Sequence, residues 1–234
     1  MSTPVIVRHG ERELSGVARA GEAWGRAASR IATTVAGEPF AVDLSGAEKV
    51  FAVDPDQRLT LRPMTRGDLP DVSRWRSADH VARWWADDGD PDLDSVTAAY
   101  GPHLDGRTPT RMWVVEMNGR SIGFVQDYRI RDYPEFALLA GEPDAIGLDY
   151  AIGEPAWIGR GIGVRMLWEW FGRTRKRFPE ASCFFAAPDH RNTASLRALA
   201  KAGFTEGVWF DEPGNDGSTA TVVGCSLDVG RVVG

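Results

Sequence analysis

The chain has 234 residues, 43% of them hydrophobic and 26% charged, which is enough apolar material to bury one domain core plus an appendage and excludes disordered and fibrous architectures. With 27 Lys and Arg against 33 Asp and Glu, the net charge of −6 argues against nucleic acid as a partner and suits a cationic ligand. No apolar run approaches the roughly 18 residues needed to cross a bilayer, and Arg8, Glu11, Arg12 and Glu13 leave no apolar signal core, so the expected location is the cytoplasm with no membrane partner.

Residues 1–56 read as an N-terminal extension. Pro4 to Arg8 is a short β-rich piece. From Gly16 to Ala32, Val17, Ala20, Trp24, Ala27, Ala28 and Ile31 recur at helical spacing, which predicts an amphipathic helix. Phe40 to Leu44 and Val50 to Val53 suit a hairpin, and Asp54-Pro55-Asp56 marks a boundary. A packing or homodimerisation appendage is the structural reading of this segment.

Residues 57–234 read as an alternating α/β domain. Leu59 to Arg62 is a strand, Thr65 caps a helix that continues through Leu69 to Arg76, and Asp94 to Leu104 is a second helix. Met112 to Glu116 and Ile122 to Tyr128 flank an Asn118-Gly119 hairpin turn, and an irregular excursion follows from Arg131 to Ala145. In the strand Ile146 to Ile152, alternation puts Gly147, Asp149 and Ala151 on one face and Leu148, Tyr150 and Ile152 on the other. Helix Val164 to Phe178, strand Cys183 to Ala187, helix Asn192 to Ala202 and strand Thr221 to Asp228 complete the domain. Cys183 and Cys225 lie in apolar strand-like segments without metal-ligand spacing, so reduced core thiols and no metal site are expected.

The run Gly159-Arg160-Gly161-Ile162-Gly163 lies between a strand and a helix, where backbone N–H groups and the helix terminus favour an anion. It lacks the Gly-Lys-Ser/Thr of a nucleoside-triphosphate loop, and Val164 stands where a dinucleotide fingerprint has its last glycine. Glycines two apart at a helix mouth fit a pyrophosphate loop instead. Together with strand Cys183 to Ala187, Asn192 at the next helix start and the terminal Lys201-Ala202-Gly203-Phe204, this pattern resembles the Gcn5-related N-acetyltransferase (GNAT) superfamily. Asn192 is open to two readings, a plain helix N-cap or a coenzyme contact.

Leu61-Arg62-Pro63-Met64-Thr65, Asp68-Leu69, Trp84-Trp85, Tyr100 and Gly147-Leu148-Asp149 are similar to the aminoglycoside 6'-N-acetyltransferase group within that superfamily. The resemblance implies an α/β (α+β) fold with a mixed central sheet flanked by helices, and acetyl-coenzyme A as acyl donor. It implies coenzyme contacts at Ile152, Ile158, Gly159, Arg160, Gly161, Ile162, Gly163 and Asn192. Acceptor contacts are implied at Trp84, Trp85, Asp87, Asp88, Tyr100, Gln126, Asp127 and Asp149. The residues themselves also suit a cationic acceptor, because Asp79, Asp87, Asp88, Asp90, Asp92 and Asp94 crowd around two indoles.

The expected reaction is direct attack of an amine on the acetyl thioester in a ternary complex. Asp149 is the first candidate for the acidic group beside the amine and Asp127 the second. An aspartate near its reference pKa of about 3.9 is a weak base toward an ammonium, so orientation is its larger expected contribution. The resemblance places a backbone N–H of the strand before the glycine turn on the thioester carbonyl. It also aligns the usual thiolate-protonating tyrosine with Leu199, which leaves Ser195, four residues earlier on the same helix, as the candidate donor. The alternatives are a hydroxylysine acyltransferase of the siderophore branch, whose histidine-bearing substrate strand has no equivalent at Leu148-Asp149-Tyr150, and a noncatalytic module that binds coenzyme A or a cation.

Overall fold

The computed structural model describes residues 3–9, 12–18, 58–85, 89–213, 217 and 219–232. Strands β1 (Thr3–His9) and β2 (Arg12–Ala18) form an antiparallel ladder running from Thr3↔Ala18 to His9↔Arg12. The helix expected from Gly16 is therefore corrected at its start. Gly16, Val17 and Ala18 pair with Val5, Pro4 and Thr3, a nonlocal partnership that spacing along one segment does not encode. The remainder of that helix, the hairpin of residues 40–53 and the boundary at 56 fall outside the described residues.

The main sheet contains β3 (Leu59–Pro63), β4 (Arg111–Met117), β5 (Arg120–Arg129), β6 (Ile146–Ile152), β7 (Cys183–Ala186), β8 (Thr205–Pro213) and β9 (Thr219–Asp228). Its order is β3-β4-β5-β6-β7-β9-β8, antiparallel except where β6 meets β7. Helices α1 (Leu69–Arg76), α2 (Asp79–Ala82) and α3 (Leu93–Leu104) precede β4, and α4 (Pro134–Ala140) interrupts the excursion expected to be irregular. Helices α5 (Ile162–Arg177), α6 (Thr193–Ala202) and α7 (Val229–Val232) complete the chain. The expected elements of this domain are present with ends shifted by one or two residues, whereas α2, α4, α7 and the exposed edge strand β8 are additions. The hairpin turn takes the positive φ that its dipeptide favours, +52° at Asn118 and +77° at Gly119.

The sheet carries a separate apolar core on each face. On one, Val125, Ile146 and Leu148 pack under Met166, Leu167, Trp170 and Phe171 of α5 and Leu199 of α6. On the other, Met112, Val114, Phe124 and Ala151 meet Val72 and Trp75 of α1 and Val96 and Tyr100 of α3. Each fully buried Leu, Ile or Phe contributes roughly 1.5–3 kcal/mol through removal of apolar surface from water. This division fixes the orientation of every β6 side chain, since residues facing α5 alternate with residues facing α1.

The entry into α1 is held by ion pairing. The Thr65 N–H and hydroxyl both donate to the Asp68 carboxylate at 2.8 Å, and Arg62 donates to it at 2.7 and 2.8 Å while its Nε reaches Glu116. The Arg62 hydrogen bonds hold the Asp68 carboxyl down, to about 2. A depressed carboxyl stabilises the fold above its unfolded pKa, and that contribution is lost as the pH falls toward 2. Asp68→Asn is expected to lower stability at pH 7 and to flatten the acid limb between about pH 4 and 2 in chemical unfolding followed by circular dichroism. An unchanged limb would show that this pair contributes nothing.

Candidate active site

Strands β6 and β7 pair in parallel only at Ile146↔Phe184 and Gly147↔Phe185. Beyond those positions β6 runs alongside a cleft of about 870 Å³ that reaches from β6 to α6. The Gly153 N–H donates to the Ile122 carbonyl, and Ile152 stands opposite Gly123. In that antiparallel register the peptide groups of Tyr150 and Ile152 point away from β5, toward the cleft. An extended ligand lying there would add to the sheet edge through main-chain hydrogen bonds.

A 3-10 turn, Pro155–Trp157, and the glycine run lead from β6 into α5. Gly159 and Gly161 have φ of +73° and +75°, a region that side chains with a Cβ rarely enter. These left-handed steps turn the chain so that the first N–H groups of α5 open on the cleft, where the helix terminus adds positive potential. Ile158, Gly159, Arg160, Gly161, Ile162 and Gly163 all line it, with the Arg160 guanidinium 5.9 Å from the Trp157 ring centroid. Across from the turn stand Arg191, Asn192, Ser195, Arg197 and Lys201.

The described lining contains Arg83, Arg160, Arg191, Arg197 and Lys201 and no carboxylate. The trough expected to be negative is therefore cationic over this length. Asp87 and Asp88 lie outside the described residues, while Asp92 is consumed as the α3 cap, accepting from the N–H groups of Asp94 and Ser95. A cationic wall facing an open helix N-terminus and a free strand edge fits acetyl-coenzyme A, whose phosphates need the first and whose amide-bearing arm needs the second. Asn192 caps α6 through the Ser195 N–H at 3.1 Å and also lines the cleft, so it satisfies both readings at once.

Ser195 does not stand alone. Its hydroxyl is 2.8 Å from the Tyr150 hydroxyl, and both residues line the cleft, whereas Leu199 is fully buried beneath it. Burial pushes the Tyr150 phenol well above its ordinary range, with the Ser195 hydrogen bond opposing, so the phenol keeps its proton at neutral pH. Sequence reading missed Tyr150 as a site residue. Its only local signal was a polar tip on the apolar face of β6.

At the other end of the cleft, α2 supplies His80, and Trp84 and Trp85 follow just beyond it. Buried Arg76 donates to the carbonyls of Trp85 at 3.1 Å and Gly89 at 2.9 Å. Trp85 packs against Phe124 with ring centroids 5.1 Å apart, and the Arg83 guanidinium lies 5.7 Å from the Trp84 centroid. Helix α1 approaches the end of β6 closely enough that a Cβ at Gly153 would sit 2.0 Å from the Trp75 indole, whose N–H donates to Glu154 at 3.0 Å. Neither His80 nor Arg76 was singled out from sequence, because nothing in a lone His or Arg indicates which carbonyl it will meet.

Asp149 shares the α1-side face of β6 with Ala151, which lines the cleft. Its carboxylate accepts the Gln126 amide at 2.9 Å, and its charge joins burial in raising the neighbouring Tyr128 phenol. Asp127 is a correction. It pairs with Leu148 across the ladder and so lies on the opposite face, fully buried, where it accepts from Arg111 at 2.9 Å, Trp113 at 2.6 Å and Trp170 at 3.0 Å. Adjacent strand residues face opposite sides, so Gln126 and Asp127 cannot both meet an acceptor beside Asp149. Tyr100 is likewise corrected. At 3% exposure it packs in the α1–α3 core, 6.2 Å from Phe124 and with Arg76 5.8 Å from its ring centroid, rather than walling the cleft.

A mixed sheet splayed beside a glycine turn, with a cationic cleft on one side and an aromatic mouth on the other, fits an acyl-coenzyme A-dependent transferase. The acetyltransferase (GNAT) domain family matches residues 65–211, and the chain belongs to that family. It is an acetyltransferase that uses acetyl-coenzyme A, and its mixed seven-stranded sheet flanked by helices is the family fold. Among similar proteins are the type 1 aminoglycoside N(6')-acetyltransferases of Klebsiella pneumoniae and Serratia marcescens, 26% and 28% identical over 166 residues, or 66% of this chain and 77% of each relative. The solved structure of aminoglycoside acetyltransferase AAC(6')-Ib with coenzyme A and kanamycin superposes with a TM-score of 0.61 at 23% identity, covering 73% of this chain and 95% of that one. Spermidine N-acetyltransferase from Vibrio cholerae with coenzyme A and spermine gives 0.59 at 18% identity, covering 75% and 98%.

Proposed function

We propose that this acetyltransferase transfers the acetyl group to an amine of a cationic small molecule, an aminoglycoside or related aminosugar, in a ternary complex. The observation that carries the reading is the pair Trp84 and Trp85 at the mouth of the cleft. Their aromatic surfaces beside the end of β6 suit a ligand bearing ammonium groups. Asp149, held by Gln126, supplies the fixed negative charge that orients the reacting ammonium. The relatives named for aminoglycosides point the same way, and the polyamine enzyme among the structural neighbours shares the requirement for a multiply charged amine.

Bound acetyl-coenzyme A supplies an activated thioester. The chain holds its phosphates at the Gly159–Gly163 turn and along α6, and its arm along Tyr150 and Ile152. Ser195, backed by the protonated Tyr150 phenol, is the proton source for the departing thiolate.

The test is release of free thiol by purified protein with acetyl-coenzyme A and a panel of kanamycin, tobramycin, spermidine and spermine. Turnover of the aminoglycosides is expected, and Asp149→Asn should lower kcat/KM on the order of 100-fold by removing the charge that aligns the amine. Turnover confined to the polyamines would overturn the aminosugar assignment. Silence across the whole panel would overturn the cationic acceptor.

A further inference from the structure

We infer that His80 is a catalytic residue, the general base that takes the proton from the acceptor ammonium. The inference rests on the cationic-amine reading and deepens it. His80 Nε2 lies 3.0 Å from the Ile152 carbonyl, at the end of β6 where strand, glycine turn and tryptophans converge. A carbonyl oxygen only accepts, so this contact requires Nε2 to carry the hydrogen. The same contact leaves the Nδ1 lone pair as an acceptor and prevents the ring from turning over. Half-buried on a short helix, His80 is thus held in one tautomer beside the strand whose edge receives the acyl arm.

The composition of the cleft strengthens the assignment. Among its described lining residues, the other ionisable side chains are the guanidinium groups of Arg83, Arg160, Arg191 and Arg197, the Lys201 amine and the Tyr150 phenol, all hydrogen-bond donors. His80 is the one imidazole among the described lining side chains. Among the described residues, the charged groups on the neighbouring elements are Asp79 on its own helix, Arg83 just past its end, Arg76 buried behind the tryptophans, Arg74 and Glu154 paired at 2.7 Å beyond the end of β6, and Arg160 on the glycine turn. An imidazole is also chemically better matched than a carboxylate, since efficient proton abstraction needs a base whose own pKa lies near the working pH. Asp149 then orients and His80 deprotonates.

The step balances as follows in atoms and charge. The ammonium gives one proton to His80 Nδ1, which leaves a neutral amine and an imidazolium whose Nε2–H remains on the Ile152 carbonyl. The amine lone pair forms the C–N bond to the thioester carbonyl carbon, and the C–S bond breaks with its electron pair on sulfur. The second proton from nitrogen reaches sulfur through the Ser195 hydroxyl, which gives one proton and takes up another, and the imidazolium returns its proton to water. The products are the acetamide, the free thiol and one proton.

His80→Gln separates proton abstraction from positioning, because its amide N–H preserves the bond to Ile152 while its oxygen is not a base. With kanamycin as acceptor, kcat is expected to fall on the order of 100-fold and the acidic limb of its pH profile to vanish, while calorimetry gives an acetyl-coenzyme A Kd within about twofold of the unmodified protein. Imidazole added to His80→Ala should restore part of the rate. Independently of activity, ring-nitrogen NMR of the protein alone should show His80 with hydrogen on Nε2 and a bare Nδ1. A kcat within about twofold in His80→Gln, a persistent acidic limb, or hydrogen on Nδ1 would each overturn the assignment while leaving the acceptor reading intact. Absence of turnover in the unmodified protein despite coenzyme binding would instead overturn the kanamycin-class acceptor and the base role with it.

Discussion

Gly161→Val should weaken acetyl-coenzyme A binding on the order of 100-fold in calorimetry and reduce kcat/KM to match. Gly161 immediately precedes α5 with φ +75°, a conformation that costs a residue with a Cβ roughly 1–2 kcal/mol, and more for a β-branched one. That strain alone is worth about tenfold in any state that needs the native turn. The remaining loss arises because relaxing the turn swings the first N–H groups of α5 away from the position they share, and the isopropyl group occupies the space in which a diphosphate would sit. The apolar core beneath α5 begins only at Ile162, so thermal unfolding without coenzyme should shift by only a few degrees. A Kd within about twofold of the unmodified protein would show that this turn does not hold the coenzyme.

Asp127→Ala should destabilise the protein by about 3–5 kcal/mol in urea unfolding while the folded fraction keeps its coenzyme affinity. The carboxylate is fully buried and is shared by Arg111 and the indole N–H groups of Trp113 and Trp170. Burial pushes its carboxyl up to about 6 and the two indole bonds pull down; with the Arg111 guanidinium alongside, it is ionised at pH 7. Truncation strands the guanidinium and two buried donors without an acceptor and leaves a small void between β5 and α5. Asp127→Asn keeps one acceptor and should lose less. Since Asp127 faces α5 and not the acceptor side, the outcome that would sink this account is a stable Asp127→Ala protein whose kcat has collapsed.

The glycine turn and the helix ends were legible because their chemistry is local. Left-handed glycines at a helix mouth, Asn192 opening α6 and Gly203 closing it are requirements of consecutive residues, and the glycine run and Asn192 meet in the cleft. Trp84 and Trp85 were legible as a pair through the resemblance alone, since both lie beyond the end of α2 and helical spacing does not govern them. Both do line the cleft, though Trp85 also packs on Phe124. The acceptor half was legible only in part. Asp127 and Asp149 look alike in sequence, each a lone acid on an apolar strand, and the face each occupies is set by the register Gln126↔Asp149 and Asp127↔Leu148. The aspartate-rich stretch suggested a negative trough, yet an acid placed just before a helix has a second use, and α3 takes Asp92 for its cap.

Length, apolar alternation, turn dipeptides and helix caps determined by themselves that this chain forms a mixed α/β domain with a glycine turn between β6 and α5. Each of those signals is a constraint among neighbours within a few residues, and the chain cannot satisfy it in another way at lower free energy. Tertiary structure alone decided which polar groups meet: His80 with the Ile152 carbonyl, Tyr150 with Ser195, and Asp127 with two indoles and a guanidinium. The separations are 72, 45 and up to 43 residues, and contacts of that range depend on strand register and on which helix covers which face. Side-chain chemistry sets what each residue is able to do, and the packing of two helical layers on one sheet sets what it is positioned to do.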